Sequence, residues 1–291
     1  MKGNPEGACS FFQNEYMLDY QISQLRKPHI AVMDRITMGG GAGLSMNGPF
    51  RIATERTVFA MPECAIGLFP DVGASRFLND LPYRMGMYMA LTGARLKGAE
   101  VKAAGLATHF IESGHLSRLE PQLDALGPKA RDWSVVDAVL KEAEALSAHP
   151  PMEEFMKKMN AVSSIFGKNS LAQVVEALHS GEPEHRELCQ ECLNAMGRGS
   201  PLSMALVFEQ LTRLRDTDLA NCLEIEFRLA QRCSRGDADF WEGVRAVLID
   251  KDQNPKWKYP SIDKVPDDVV QELFEQRADL KSLNLQPRAK M

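Results

Sequence analysis

Short apolar runs separated by polar and glycine-rich turns occupy the first third of the chain. Residues 29–33, directly behind Pro28, have the length and composition of a buried strand. Residues 50–54 and 57–61 are two further runs of the same kind. The pattern therefore predicts short strands within an α/β part of the protein.

Apolar residues recur at helical spacing in residues 11–20 and through most of the chain beyond residue 81. The later predicted helices cover residues 82–91, 99–104, 133–147, 152–159, 171–179, 184–196, 201–213 and 218–235. A boundary near residues 112–114 predicts two domains: a mixed α/β part, residues 1–114, and a mostly helical part, residues 115–291.

A glycine-rich stretch follows the first predicted strand. Gly39, Gly40 and Gly41 come just before residues that continue as a helix, so their N–H groups would lie at a helix N-terminus, which favours negative charge. Such a cradle suits a phosphate or the oxyanion of an attacked carbonyl. A tight turn without a ligand has the same pattern. The glycine spacing and the absence of a following Lys-Ser/Thr exclude the common nucleotide-binding loops.

Two carboxylates follow, Glu63 and Asp71, separated by a mainly apolar segment. Burial there would raise their pKa values, which suits a general base or a nucleophile. Two structural interpretations compete with this one. Asp71 could cap a helix that begins near Val72, and Glu63 could lie at the surface end of a strand.

The composition excludes some classes of function. Hydrophobic residues make up 44% and charged residues 25% of the chain, as in ordinary globular proteins, and the formal net charge is −5. This charge argues against a role dominated by nucleic-acid phosphates. No apolar run approaches the roughly 18 residues of a membrane span.

Cysteines and histidines give no metal-binding pattern. The six cysteines are scattered, which fits a reducing compartment, and Cys189-x-x-Cys192 has no second cysteine pair. The six histidines form no cluster with ligand spacing. We therefore predict no metal site.

Several segments together resemble the crotonase (enoyl-CoA hydratase/isomerase) superfamily and, within it, the 3-hydroxyisobutyryl-CoA hydrolase family. The segments are Met-Gly-Gly-Gly at residues 38–41, Ala-Met-Pro-Glu at 60–63 and Ile-Gly-Leu-Phe-Pro-Asp-Val-Gly at 66–73, with further matches at 91–98, 105–109 and 242–252. The resemblance implies a spiral of ββα units, N-terminally incomplete here, followed by a mostly helical region.

The same resemblance assigns roles to individual residues. Glu63 would attack the thioester carbonyl or activate water, and Asp71 would orient the substrate or water and carry a proton to the leaving thiolate. The Gly40 N–H, within the cradle formed with Gly39 and Gly41, would bind the oxyanion. Glu15 matches a substrate-binding glutamate in a Glu-Tyr-Met-Leu segment, although a solvated helix glutamate is the simpler interpretation.

The absence of a second glutamate distinguishes hydrolysis from hydration. Hydratases of the superfamily carry a second catalytic glutamate where this chain has Gly43. The resemblance therefore favours an acyl-CoA hydrolase acting on 3-hydroxyisobutyryl-CoA in valine catabolism, with no cofactor because CoA is part of the substrate. The alternative is a catalytically weak member that serves as a subunit of a mitochondrial ribosome. Superfamily members commonly form homo-oligomers.

The two ends of the chain bear on activity and location. The loop that supplies the first oxyanion N–H in similar enzymes has no counterpart here, which leaves open whether the chain is a fragment. Residues 1–7 lack the features of a transit or signal peptide. The terminal Ala289-Lys290-Met291 is of the same physical type as a peroxisomal signal, and the mitochondrial matrix is the competing location.

Overall fold

The computed structural model describes residues 4–285. Its strands lie in the first part of the chain and form two small sheets of three strands each. The strands are β1 (Ile30–Met33), β2 (Ile36–Thr37), β3 (Phe50–Ala53), β4 (Val58–Phe59), β5 (Leu96–Lys97) and β6 (His109–Phe110). The predicted strands at 29–33, 50–54 and 57–61 are thus confirmed, the last of them shortened.

The two sheets differ in direction. One has the order β1-β3-β6 with all strands parallel, in a register that places Ile30 opposite Phe50 and Ile52 opposite His109. The other has the order β2-β4-β5, in which β2 is parallel and β5 antiparallel to β4. Because parallel neighbours need crossover connections, β1 and β3 are joined through a helix.

Beyond residue 110 the regular structure of the described chain is helical, and further helices lie before and between the strands. They are α1 (Pro5–Ser23), α2 (Gly40–Met46), α3 (Ala74–Phe77), α4 (Met85–Thr92), α5 (Ala99–Ala103), α6 (Leu116–Ala125), α7 (Trp133–Ala145), α8 (Glu153–Phe166), α9 (Leu171–His179), α10 (Arg186–Met196), α11 (Pro201–Arg213), α12 (Leu219–Arg235), α13 (Phe240–Val244) and α14 (Asp267–Phe274). Each predicted helix has a counterpart, whereas α6, α13 and α14 were not predicted.

The largest boundary differences have local causes. α1 begins at Pro5 and not at residue 11, because the Asn4 side chain accepts a hydrogen bond from the Gly7 N–H and Pro5 occupies the first turn. α4 begins at Met85, since Tyr83 and Arg84 have positive φ and interrupt the predicted helix.

Two hydrophobic clusters form the interior. The larger one joins α1, the segment after β4 and the helices α4 and α8–α12, with Tyr16 and Phe227 among its members. The smaller one joins β3 to α6 and α7 through Ile52, Leu119 and Leu140. Both clusters contain residues from either side of residue 114. The division into two domains at that point stays a prediction.

Candidate active site

The glycine-rich stretch forms the N-terminus of α2, as predicted. Gly39 precedes the helix with φ of +51°, a conformation that glycine adopts without a Cβ penalty. The N–H groups of Gly39 and Gly40 have no acceptor among the described residues, whereas the Gly41 N–H donates to the Met38 carbonyl. Two adjacent N–H groups are therefore available to a ligand.

Two acidic side chains on α1 face this helix, one turn apart. A Cβ at Gly40 would meet the Glu15 carboxylate, and a Cβ at Gly43 would lie 2.7 Å from both oxygens of Asp19. The absence of side chains at these two glycines is what allows the carboxyl groups of α1 to approach. Glu15 thus lies beside the cradle, and the substrate-binding role that the resemblance implies for it stays a prediction.

Glu63 begins a short 3₁₀ turn, Glu63–Ile66, that follows β4. The side chain is buried, with 5% of the residue exposed, and its Oε2 has no hydrogen-bond partner among the described residues. The interpretation of Glu63 as a surface residue is therefore wrong. Burial and then the negative charge of Asp71 raise the pKa of Glu63 well above its usual range. This upward shift of the pKa favours the neutral form of Glu63.

Asp71 is also buried, but its charge is stabilised. The Tyr16 hydroxyl donates a hydrogen bond of 2.6 Å to Oδ2 of Asp71. Burial raises the Asp71 pKa to about 6, and the Tyr16 hydrogen bond opposes this rise. The helix after it, α3, has Gly73 as its N-cap and no side-chain cap, so the interpretation of Asp71 as a helix cap is wrong.

The backbone around Asp71 is held in an unusual conformation. Val72 has φ of +57°, which is rare for a β-branched residue and marks a strained position. The Asn47 amide donates to the Val72 carbonyl at 3.0 Å, and the Gln210 amide donates to the Pro70 carbonyl at 2.8 Å. A side chain at the C-terminal end of α2 and one from α11 thus stabilise the turn that carries Asp71.

Glu226 of α12 secures the same turn from a third direction. Its carboxylate accepts hydrogen bonds from the N–H groups of Gly73 (2.7 Å) and Ser75 (2.8 Å). These are the N-terminal N–H groups of α3, for which the sequence offers no local cap. Burial is the main cause that raises the Glu226 pKa, to about 8.

The site concentrates acidic groups. Burial, followed by the charge of Asp71, raises the Glu15 pKa to about 7. Burial, followed by the charges of Glu15, Asp71 and Glu226, raises the Asp19 pKa to about 8. Among Glu15, Asp19, Asp71 and Glu226 the lowest pKa belongs to Asp71, which is therefore the most strongly ionised of the four at neutral pH.

Sequence reasoning missed Tyr16, Asp19, Gln210 and Glu226. Asp19 lies four residues after Glu15 on a predicted helix, so helical spacing could have placed it on the same face. The other three carry no such signal. Gln210 and Glu226 are more than 130 residues from the turn that they hold.

The cysteine that follows Glu63 does not offer a nucleophile to the site. Cys64, next to Glu63, is buried, and burial raises its thiol pKa far above its ordinary value, so the reactive thiolate is absent at neutral pH. Within residues 4–285, no three His, Cys, Asp or Glu side chains are grouped to hold a metal ion. In the same range, no helix is long and apolar enough to cross a bilayer.

Comparison with known proteins agrees with this geometry. The family model for enoyl-CoA hydratase/isomerase matches residues 1–274. The crystal structure of a carnitinyl-CoA dehydratase from Mycobacterium thermoresistibile has a TM-score of 0.81 and 27% sequence identity, over 96% of this chain and 77% of that one. The chain therefore belongs to the enoyl-CoA hydratase/isomerase family and has the crotonase fold.

Two curated relatives carry the name of one particular enzyme of this family. The mitochondrial 3-hydroxyisobutyryl-CoA hydrolase of Gallus gallus is 45% identical over 268 residues, which cover 91% of this chain and 68% of that protein. The mitochondrial 3-hydroxyisobutyryl-CoA hydrolase of Xenopus laevis is 43% identical over 269 residues, which cover 92% of this chain and 68% of that protein.

Proposed function

We propose that the protein hydrolyses acyl-CoA thioesters, with 3-hydroxyisobutyryl-CoA as its substrate and 3-hydroxyisobutyrate and CoA as products. The observation that carries the proposal is the buried pair Glu63 and Asp71, whose charges interact, together with the Gly40 N–H, which has no acceptor among the described residues. The names of the frog and chicken relatives support the choice of acyl group. The reaction consumes only water, so no cofactor is included.

The different environments of the two carboxyl groups support a division of roles. Burial and the lack of a partner for Oε2 among the described residues favour the protonated form of Glu63, whereas the hydrogen bond from Tyr16 favours the ionised form of Asp71. Transfer of the Glu63 proton to Asp71 leaves Glu63 as a carboxylate and Asp71 as an acid. One proton shared by two buried carboxyl groups suits acid–base chemistry near neutral pH.

The chemical steps then balance. The Glu63 carboxylate attacks the thioester carbon, and the Gly40 N–H, with Gly39 and Gly41 shaping the cradle, stabilises the oxyanion. Collapse breaks the C–S bond, and Asp71 protonates the leaving thiolate. Water then attacks the resulting anhydride and gives up a proton to Asp71, which releases the hydroxy acid and restores Glu63. If Glu63 instead activates water, it takes the proton of that water while Asp71 protonates the leaving thiolate. The proton on Glu63 then passes to Asp71.

Glu15 completes the proposed binding site. Its carboxyl group lies against Gly40 from α1, and its pKa of about 7 allows it to donate or accept a hydrogen bond at neutral pH. We assign it to substrate binding. A hydration reaction is not favoured, because position 43 carries no carboxylate of its own to pair with Glu63 across a water molecule.

Substitution of the two carboxyl groups tests the proposal. Release of CoA from 3-hydroxyisobutyryl-CoA is followed through its free thiol. Glu63→Gln keeps the shape but removes the nucleophile or base, so kcat should fall by at least about 10³-fold, and Asp71→Asn should cost about 10²-fold. Glu142→Gln, at an exposed position of α7, is the matched control and should be neutral.

Three results would contradict the proposal. A folded Glu63→Gln variant within tenfold of the unmodified protein would remove Glu63 from the chemistry. A larger loss for Asp71→Asn than for Glu63→Gln would reverse the two roles. Absence of CoA release from any acyl-CoA by the unmodified protein would favour the ribosomal-subunit alternative.

We also propose a mitochondrial location, because the frog and chicken relatives are named mitochondrial. The tripeptide Ala289-Lys290-Met291 lies outside the described residues, and these names give no support to a peroxisomal signal. Fractionation of cells, with detection of this chain by antibody, should find it with mitochondrial markers. Recovery with peroxisomal markers would instead support the tripeptide.

A further inference from the structure

Asp19 is a buried carboxyl group for which the described part of the chain offers no hydrogen-bond partner. The residue is 0% exposed, and neither of its side-chain oxygens has a hydrogen bond within residues 4–285. Buried polar groups in folded proteins are almost always paired, so an unpaired carboxyl group calls for an explanation. The mechanism proposed above does not use it.

The position of Asp19 relates it to the oxyanion cradle. Its carboxyl oxygens lie where a side chain on Gly43 would begin, one helical turn beyond Gly40. Three residues of helix correspond to about 4.5 Å along the axis. The carboxyl group therefore lies about one helical turn from Gly40 along α2, on the side of this helix that faces α1.

The groups that face Asp19 keep it neutral. They are Glu15 on the same helix, Asp71 in the turn before α3, and Glu226 on α12, all of them acidic. Burial and these charges raise its pKa to about 8, so the carboxylic acid predominates at pH 7. A neutral carboxylic acid has one donor and one carbonyl acceptor, which is complementary to an alcohol.

We propose that Asp19 binds the hydroxyl group of a 3-hydroxyacyl substrate and so selects hydroxylated over plain acyl groups. This inference rests on the function proposed above. In a 3-hydroxyacyl thioester the carbon bearing the hydroxyl is two bonds from the carbonyl carbon, which matches the short separation between Asp19 and the cradle. A substrate without the hydroxyl would leave the buried acid unpaired. Sites that hydrogen-bond a substrate hydroxyl reject analogues without it for this reason.

Comparison of two thioesters tests the role of Asp19. The measured quantity is the ratio of kcat/KM for 3-hydroxyisobutyryl-CoA to kcat/KM for isobutyryl-CoA. Asp19→Leu should lower this ratio by about 10- to 100-fold, mainly through the hydroxylated substrate. Asp19→Asn, whose amide offers both a donor and an acceptor, should keep the ratio within about threefold.

Further variants keep the test decisive. Asp19→Ala should reproduce the loss if Asp19→Leu fails to fold, and Asp124→Leu, at an exposed position of α6, should leave the ratio unchanged. An unchanged ratio in the folded Leu or Ala variant would overturn the inference, even if both rates fell together.

A binding measurement separates this inference from the proposed function. Dissociation constants for the two thioesters are measured by calorimetry in the Glu63→Gln background, with and without Asp19→Leu. Loss of preference for the hydroxylated ligand, by about tenfold or more, would support the role of Asp19 even if the unmodified protein hydrolysed neither thioester. Equal affinities of the Glu63→Gln protein for both ligands would overturn it.

Discussion

A single hydrogen bond, from the Tyr16 hydroxyl to Asp71, distinguishes the environments of the two carboxyl groups of the site. Both acids are buried, so desolvation raises the pKa of each. Only Asp71 accepts a hydrogen bond from a buried hydroxyl, at 2.6 Å. A hydrogen bond to an ionised carboxylate stabilises the charged form, which keeps Asp71 as the ionised member of the pair.

Removal of this hydroxyl should shift the pH dependence of hydrolysis. With a pKa of about 6, Asp71 loses its charge as pH falls through 6, so kcat/KM should decline on that acid side. Tyr16→Phe withdraws stabilisation of the charged form, so the Asp71 pKa should rise and the acid limb should move upward by about one to two pH units. The measurement is a pH–rate profile from pH 5 to 9.

Tyr88→Phe is the matched control for this shift. Tyr88 is also buried but lies on α4, where its ring packs against Phe166. The acid limb of the pH–rate profile of Tyr88→Phe should coincide with that of the unmodified protein. A Tyr16→Phe profile that falls at the same pH as the unmodified protein would mean that Asp71 does not control the acid limb.

At the scale of elements, the turn before α3 depends on side chains from distant helices. Asn47, directly after α2, Gln210 from α11 and Glu226 from α12 each form hydrogen bonds with its backbone. Because Val72 has a positive φ, the turn does not correspond to a relaxed local conformation. Tertiary contacts therefore determine where Asp71 points.

Glu226→Ala should weaken both stability and turnover. It leaves the Gly73 and Ser75 N–H groups without their acceptors, a loss of about 1–3 kcal/mol in the free energy of unfolding. Because Asp71 precedes these residues, kcat should also fall, by about tenfold. Denaturant unfolding and CoA release measure the two effects, and Glu226→Gln, which retains one acceptor oxygen, should be intermediate. Unchanged kcat in a destabilised Ala variant would separate the turn from catalysis.

At the scale of the whole molecule, Arg232 links α12 to the C-terminal part of the described chain. Its side chain is 3% exposed and donates to Asp237 at 2.8 Å, to the Glu272 carboxylate at 3.0 Å and to the Glu272 carbonyl at 2.6 Å. Glu272 belongs to α14, which the sequence pattern did not reveal. One buried cation thus connects two helices of the helical region.

Arg232→Met should lower the free energy of unfolding by about 1–3 kcal/mol, because hydrogen bonds to a charged group are lost from a buried position. The acidic partners are 32% and 61% exposed, so water can solvate them after the substitution, which limits the loss. Arg277→Met removes an exposed ion pair with Asp279 and should cost less than about 1 kcal/mol. Equal losses in denaturant unfolding would show that burial of Arg232 adds nothing.

The sequence alone determined the features that depend on neighbouring residues. The glycines at 39–41, the strand before them and the helix over residues 171–179 follow from local composition and spacing, and the structure contains them. The carboxylic residues Glu63 and Asp71, and the motifs through which they resemble the hydrolase family, can also be seen in the sequence. Homo-oligomer formation and the roles of the site residues stay predictions.

The tertiary structure decided what surrounds each of these groups and in which direction its pKa shifts. Glu63 is buried by the folded chain. The hydrogen bonds from Tyr16 to Asp71 and from Gly73 to Glu226 connect residues that are up to 153 positions apart. The unpartnered Asp19 is likewise visible only when α1 is packed against α2. The physical reason is that desolvation and charge interactions depend on distance in space, which local sequence patterns do not contain.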